Sequence, residues 1–149
     1  MTVSPSPSTR LQLALVTPAG ALAAHPVDEV VAPGVLGELG ILPGHLPLLS
    51  ALAPGVLSFR DGKERTFLAI GVGYLQVGAG NRVDVLVEQA EAAGDIDEDA
   101  ARKEEQILLA EMQGVSTESP EAQVRAGRLA WAQARLAAKR LGGGGSKAD

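Results

Sequence analysis

The chain contains no cysteine, which removes disulfide frameworks, Cys-ligated zinc and iron–sulfur clusters from consideration. It is poor in aromatic residues, at 3%, so its core has to be built from Val, Leu, Ile and Ala. A base-stacking surface for single-stranded nucleic acid is therefore not expected. Positive charge is also short: the formal net charge is -5, which argues against phosphate-backbone binding as the main task. No apolar run approaches the roughly 20 residues that span a bilayer. Met1–Arg10 is rich in Ser and Pro with a single Arg, and no hydrophobic segment follows it. Neither a secretory signal nor a transit peptide is expected there, and the chain reads as soluble.

What is present divides into three regimes. With 149 residues, 46% apolar and 21% charged, the chain suits one ordinary domain, or a small domain with an appendage. Residues 1–10 and 142–149, the latter Gly-Gly-Gly-Gly-Ser-Lys-Ala-Asp, are expected to be flexible tails. Little in them can offset the entropy of ordering. Residues 11–93 read as β structure. Leu11, Leu13 and Leu15 alternate with Gln12 and Ala14, and Val83, Val85 and Val87 alternate with Arg82, Asp84 and Leu86. Turn signals separate such runs, at Pro18-Ala19-Gly20, Asp61-Gly62 and Gly78-Ala79-Gly80-Asn81. Asp61-Gly62 is the sharpest and predicts a type I′ hairpin centred on that pair. Short strands with close turns and no βαβ spacing point to a β-sandwich or flattened barrel.

Residues 94–141 follow helical grammar. Asp95 with Glu98 three residues on forms a capping-box pattern, and Ala101, Leu108 and Met112 repeat at helical spacing. The stretch Gly114–Ser119 breaks the helix, and Ser119-Pro120-Glu121 restarts it with a capping hydroxyl and Pro at the first position. Ala126, Ala130, Ala134, Ala137 and Leu141 form a thin small-residue stripe. Two such helices predict an antiparallel hairpin whose docking buries little area per residue. The fold class is thus α+β: an N-terminal β-sandwich followed by a C-terminal two-helix hairpin.

No catalytic constellation assembles. Gly37–Gly44 lacks a Gly-Lys-Ser/Thr ending, and Gly71-Val72-Gly73 opens a strand-like segment rather than a helix, so neither supplies an anion cradle. Asp95, Asp97 and Asp99 imitate the start of a calcium loop, but Ala100 and Gln106 stand where Gly and Glu are needed. His25 and His45 are the only histidines, and no Gly-x-Ser-x-Gly elbow exists. No catalytic residue, metal ligand or cofactor site is expected, and a non-enzyme is the better reading. On the second helix, Arg125, Arg128, Arg135 and Lys139 fall within an arc of about 80°. Such an arc is either a solvated face or a surface for an acidic partner.

The stretch Gly37-Glu38-Leu39-Gly40-Ile41-Leu42-Pro43-Gly44-His45-Leu46-Pro47-Leu48-Leu49, followed by Ala51-Leu52-Ala53-Pro54-Gly55, resembles the motif of F-type ATP synthase epsilon subunits. That pattern reads Gly-Glu-x-Gly-Ile-x-Pro-Gly-His-x-Pro-Leu-Leu. Leu13–Pro18, Gly73–Val77 and Asn81–Leu86 resemble further strands of the family, and the resemblance covers residues 11–141. It implies a ten-stranded sandwich with two C-terminal helices, acting as a non-catalytic rotor subunit. The sandwich would link the gamma subunit to the ring of c subunits, coupling proton flow to ATP synthesis. The complex would hold the chain peripherally on the cytoplasmic side of a bacterial inner membrane. By position, Glu38 matches the acid that faces the c ring, and His45 the residue placed near gamma.

The same resemblance implies that the hairpin can lie on the sandwich or extend along gamma. Extended, it inhibits ATP hydrolysis, with Arg125, Arg128, Arg135 and Lys139 as candidate contacts to the catalytic alpha and beta subunits. Some relatives sense ATP through an Ile/Leu-Asp-x-x-Arg-Ala motif. Here Ile96-Asp97-Glu98-Asp99-Ala100-Ala101 has Ala100 in place of Arg. Arg102 lies about 200° around the helix from it, and Trp131 aligns near the second basic position. No nucleotide site is therefore expected. The alternative reading is a small β-domain binding module with no role in ATP synthase.

Overall fold

The computed structural model describes residues 10–146, the last three by backbone alone. Ten strands come first: β1 Leu11–Thr17, β2 Gly20–Val27, β3 Glu29–Gly34, β4 Gly37–Ile41, β5 Leu48–Leu52, β6 Gly55–Asp61, β7 Glu64–Ile70, β8 Gly73–Gly78, β9 Arg82–Val87 and β10 Ala90–Ala92. Two helices follow, α1 Glu98–Glu111 and α2 Pro120–Ser146. The strands run in the order β10-β7-β6-β3-β5-β8-β9-β1-β2, with β4 paired to β3 off that path. Neighbours are antiparallel except β1 and β9, which are parallel. β3 meets β5 at a single residue pair, Gly34 opposite Leu52, and there the sheet folds over on itself into two layers.

The alternation read from the sequence decides which side chains enter the layer between them. Leu11, Leu13, Leu15, Leu75, Val77, Val83, Val85 and Val87 from one layer meet Val30, Leu57, Phe59, Leu68 and Ile70 from the other, all buried. β-branched and aliphatic side chains fill a pleated interior well, and each fully buried one contributes roughly 1.5–3 kcal/mol.

One turn differs in detail from expectation. The β6–β7 hairpin pairs Asp61 with Glu64, so the central residues are Gly62 and Lys63, one position later than Asp61-Gly62. Gly62 has φ +66, and Lys63 is not among the positive-φ residues. A type I′ turn needs positive φ at both, so the turn is not of that type. Between β8 and β9 the chain makes a short 3-10 turn, Ala79–Asn81, in which Gly80 and Asn81 have φ of 74 and 63. Asn is the non-glycine residue that most readily accepts this left-handed conformation.

Helix starts depend on their caps. Asp97, not Asp95, caps α1, its carboxylate accepting the Ala100 N–H at 3.1 Å. Asp95 instead closes a 3-10 turn over Ala93–Asp95. At α2 the Ser119 hydroxyl accepts the Ala122 N–H at 3.1 Å, and Pro120 takes the first helical position. The buried face of α2 is not the expected stripe. Ala126 and Leu141 are exposed, whereas Ala134 and Ala138 are buried with Ala69 and Ile96, flanked by Val56 and Trp131. α2 lies on β6 and β7, and α1 packs on α2 rather than on the sandwich.

Both ends of the ordered body lie beyond the expected tail boundaries. Arg10, assigned to the N-terminal tail, is tied to Asp28 and Asp61. Residues 1–9 and 147–149 of the expected tails lie outside the described residues. α2 runs on through Ser146, so residues 142–146 are helical. Gly142 shows why a glycine can serve there, since a Cβ on it would come 2.5 Å from the Ala93 Cβ. The missing side chain lets the helix approach the sandwich.

Candidate functional site

α2 covers the outer side of β6 and β7, so the two outer faces of the sandwich are unequal. The face formed by β5, β8, β9, β1 and β2 carries no helix among the described residues. Pairing sets its rows. Leu49, Gln76, Asp84, Ala14 and Ala24 lie across one row, and Ala51, Tyr74, Leu86, Val16 and Ala21 across the next. Leu49 is 67% exposed, Tyr74 58% and Leu86 53%. Large aliphatic and aromatic side chains grouped on one open sheet face form a surface suited to a protein partner. Arg82, bonded to Asp84 at 3.0 Å, gives this face a polar margin. A shallow depression of about 460 Å³ lies there between Gln12, His25, Pro26 and Gly80.

The motif residues sit at the rims. Glu38 is exposed on β4, opposite Pro33 and one residue beyond the tight Gly34–Gly37 hairpin. The tip of that hairpin is Val35 and Leu36, the latter 99% exposed. Gly37 has φ +136, a conformation that side chains disfavour. The hairpin therefore projects two apolar residues and one acid. His45 is exposed in the loop between β4 and β5. Its N–H donates to the Leu42 carbonyl at 3.0 Å. Its Nδ1 lies 2.7 Å from the Leu46 carbonyl oxygen, a bond that requires the ring proton on Nδ1. Glu38 and His45 thus stand on separate projections.

The basic arc of α2 is paired within the chain. Arg128 reaches Glu104 on α1 at 2.7 Å, and Arg125 reaches Glu111 at 3.5 Å. Arg135 bonds Glu91 on β10 at 2.8 Å, and Lys139 donates to the Ala93 carbonyl at 3.4 Å. Two of the four cations clip the helices together, and the other two clip α2 to the sandwich. The reading as a solvated face missed these pairs, because the acids come from distant parts of the chain.

At the start of α1, Ala100 is exposed next to Asp97, Lys103 and Glu104. Arg102 donates to Glu98 at 2.8 Å, and this bond raises its pKa above the ordinary guanidinium value. Trp131 lies against the cluster through which α2 docks, formed by Ala69, Ile96, Ala134 and Ala138.

The chain matches the family model described as ATP synthase, Delta/Epsilon chain, beta-sandwich domain over residues 10–93. It belongs to this family. Its similarity to the ATP synthase epsilon chain of an Anaeromyxobacter species (strain K) is 41% identity over 126 residues, covering 85% of this chain and 95% of that one. With the ATP synthase epsilon chain 2 of Syntrophotalea carbinolica it shares 49% over 88 residues, covering 59% of this chain and 63% of the relative. That match therefore spans under two thirds of the relative's length. Among solved structures, a chain in the cryo-EM structure of Euglena gracilis mitochondrial ATP synthase (OSCP/F1/c-ring) superposes with a TM-score of 0.78 at 21% identity, covering 93% of this chain and 86% of that one. A chain in the central stalk and c-ring structure from Tetrahymena thermophila gives 0.57 at 17% identity, covering 87% and 96%. At those identities the two structures speak to the fold, a delta/epsilon-type sandwich with two C-terminal helices.

Proposed function

We propose that this delta/epsilon-family chain is the non-catalytic rotor subunit of a bacterial F-type ATP synthase. Its sandwich joins gamma to the c ring on the cytoplasmic side of the membrane, with no chemistry of its own. The supporting observation is the asymmetry of the sandwich. One outer face is covered by α2, and the other presents Leu49, Tyr74 and Leu86 to solvent. Gamma docks on that bare face and reaches the His45 loop, while the Val35-Leu36-Glu38 hairpin faces the polar loops of the c ring. A free-standing β-domain module gains no support from relatives whose names are those of ATP synthase chains.

Co-purification with gamma tests this reading. The full chain is expected to retain gamma, and Leu49→Glu plus Leu86→Glu to lose it at a nearly unchanged melting temperature, because both side chains are exposed and they do not face each other across a strand pair. Glu38→Ala and His45→Ala are expected to weaken assembly with gamma and the c ring while the isolated fold persists. Retention of gamma by the double Glu variant would refute the assignment of the face.

The hairpin has a second role, inhibition of ATP hydrolysis through acidic surfaces of the alpha and beta subunits. The same four cations that clip it down in this conformer would make those contacts, so docking and inhibition compete. Arg128→Glu plus Arg135→Glu places like charges beside Glu104 and Glu91 and loosens the docked form. If loosening alone governed inhibition, hydrolysis would fall further. If the cations themselves grip the partner, as proposed, inhibition weakens.

A further inference from the structure

Asn81 lies outside the Gly37–Leu49 motif, in the turn between β8 and β9, yet it reaches across the sheet end to that motif. The Gly44 N–H donates to the Asn81 side-chain Oδ1 at 2.7 Å, over a sequence separation of 37 residues. Gly44 belongs to the Pro43-Gly44-His45 loop and has φ +89, a conformation with little side-chain restraint of its own. The loop is open: Leu42 is 52% exposed and Leu46 78%. Within it, His45 N–H to the Leu42 carbonyl is a local bond, which fixes the shape of the loop but not its position on the sandwich. Leu48, just past the loop, pairs with Val77, and Gly78 pairs with Arg82, next to Asn81. The loop and the turn therefore lie at the same end of the bare face, with Leu49 one residue into it.

We infer that Asn81 is a positioning residue that holds the His45 loop against the bare face, so that loop and face present one continuous surface to gamma. Two properties of the residue are used together. Its backbone occupies the left-handed region, φ 63, which aims the side chain at the loop, and its carbonyl oxygen accepts the Gly44 amide. Glycine would keep the first property and lose the second. Aspartate would keep both.

The inference rests on the docking face proposed above, and the experiment separates the two. Amide exchange at Gly44 is measured in the full-length chain, and binding to the cognate gamma subunit is measured for wild type, Asn81→Gly and Asn81→Asp. Loss of the Gly44 hydrogen bond is expected to speed Gly44 exchange in Asn81→Gly by roughly tenfold and to weaken gamma by roughly threefold to tenfold. Asn81→Asp is expected to restore both, with all three melting temperatures close together. Unchanged Gly44 exchange in Asn81→Gly, wild-type affinity despite faster exchange, or failure of Asn81→Asp to rescue would each overturn the positioning role. Failure of the wild-type chain to bind gamma would instead sink the docking face, and the inference with it.

Discussion

Gly142 and Gly143 are adjacent, both helical, and chemically identical, yet replacing them with alanine is expected to have opposite effects. A Cβ at Gly142 would sit 2.5 Å from the Ala93 Cβ, whereas at Gly143 it would meet nothing within 4 Å. Carbon atoms in contact rest about 3.5–4.0 Å apart. In Gly142→Ala the helix must therefore retreat from the sandwich by about 1 Å or more. Overpacking of this kind typically costs about 1–3 kcal/mol. The substitution also gains helix propensity, about 1 kcal/mol, in both variants. The net expectation is a looser hairpin for Gly142→Ala and a firmer one for Gly143→Ala. Trp131 is the only tryptophan and packs against the docking cluster of Ala69, Ala134 and Ala138, so its emission follows docking without interference. In a urea titration its transition should move to lower denaturant for Gly142→Ala and to higher for Gly143→Ala. The sandwich transition, followed by circular dichroism of the β signal, should stay in place. Equal stabilisation by the two substitutions would refute close approach at Gly142 as the reason the helix seats there.

Asp28 accepts the Gly62 N–H at 2.7 Å and, next in importance, pairs with Arg10, and these hold its carboxyl below the ordinary carboxylate range. A depressed folded pKa contributes stability that is present above the unfolded value and lost as pH falls through the folded one. Asp28→Asn should therefore melt earlier than wild type at neutral pH, with the gap closing below the ordinary carboxylate value; a constant gap would contradict this. For nucleotide, Ala100 offers no cation and the Arg102 guanidinium is already bonded to Glu98. Calorimetry on the isolated chain is expected to show no ATP binding tighter than millimolar, and tighter binding would overturn that reading.

The strands were legible because a period of two is a local property. Leu11, Leu13, Leu15 and Val83, Val85, Val87 are all buried, as their alternation required. The α2 stripe was misread because an Ala-rich helix offers several faces of nearly equal hydropathy. The contact through Ala134, Ala138 and Gly142 is chosen by the sandwich, which no helical spacing encodes. Gly142 itself reads locally as a linker residue, since glycine is a poor helix former; its use depends on Ala93, 49 positions earlier. The outer faces posed a similar problem. Val56 and Ala69 on one, and Tyr74 and Leu86 on the other, alternate with buried residues alike, and the covering helix decides which remains open. Likewise the acids facing Arg128 and Arg135 lie 24 and 44 residues away, beyond the reach of any helical-wheel reading.

The order of the layers at the C-terminal end inverts the order of the chain. α1 is the nearer helix in sequence, yet it rests on α2, and α2 rests on the sandwich. Shortening the chain from its C-terminus therefore removes the inner layer before the outer one. A nuclease-style ladder of truncations would not peel this protein evenly. Once α2 has lost the turns that carry Ala134 and Ala138, its first turns still hold Arg125 and Arg128 against Glu111 and Glu104 of α1, but the pair has lost its seat on the sandwich and hangs from it as an undocked appendage. Any natural shortening of the tail would thus act on both helices at once.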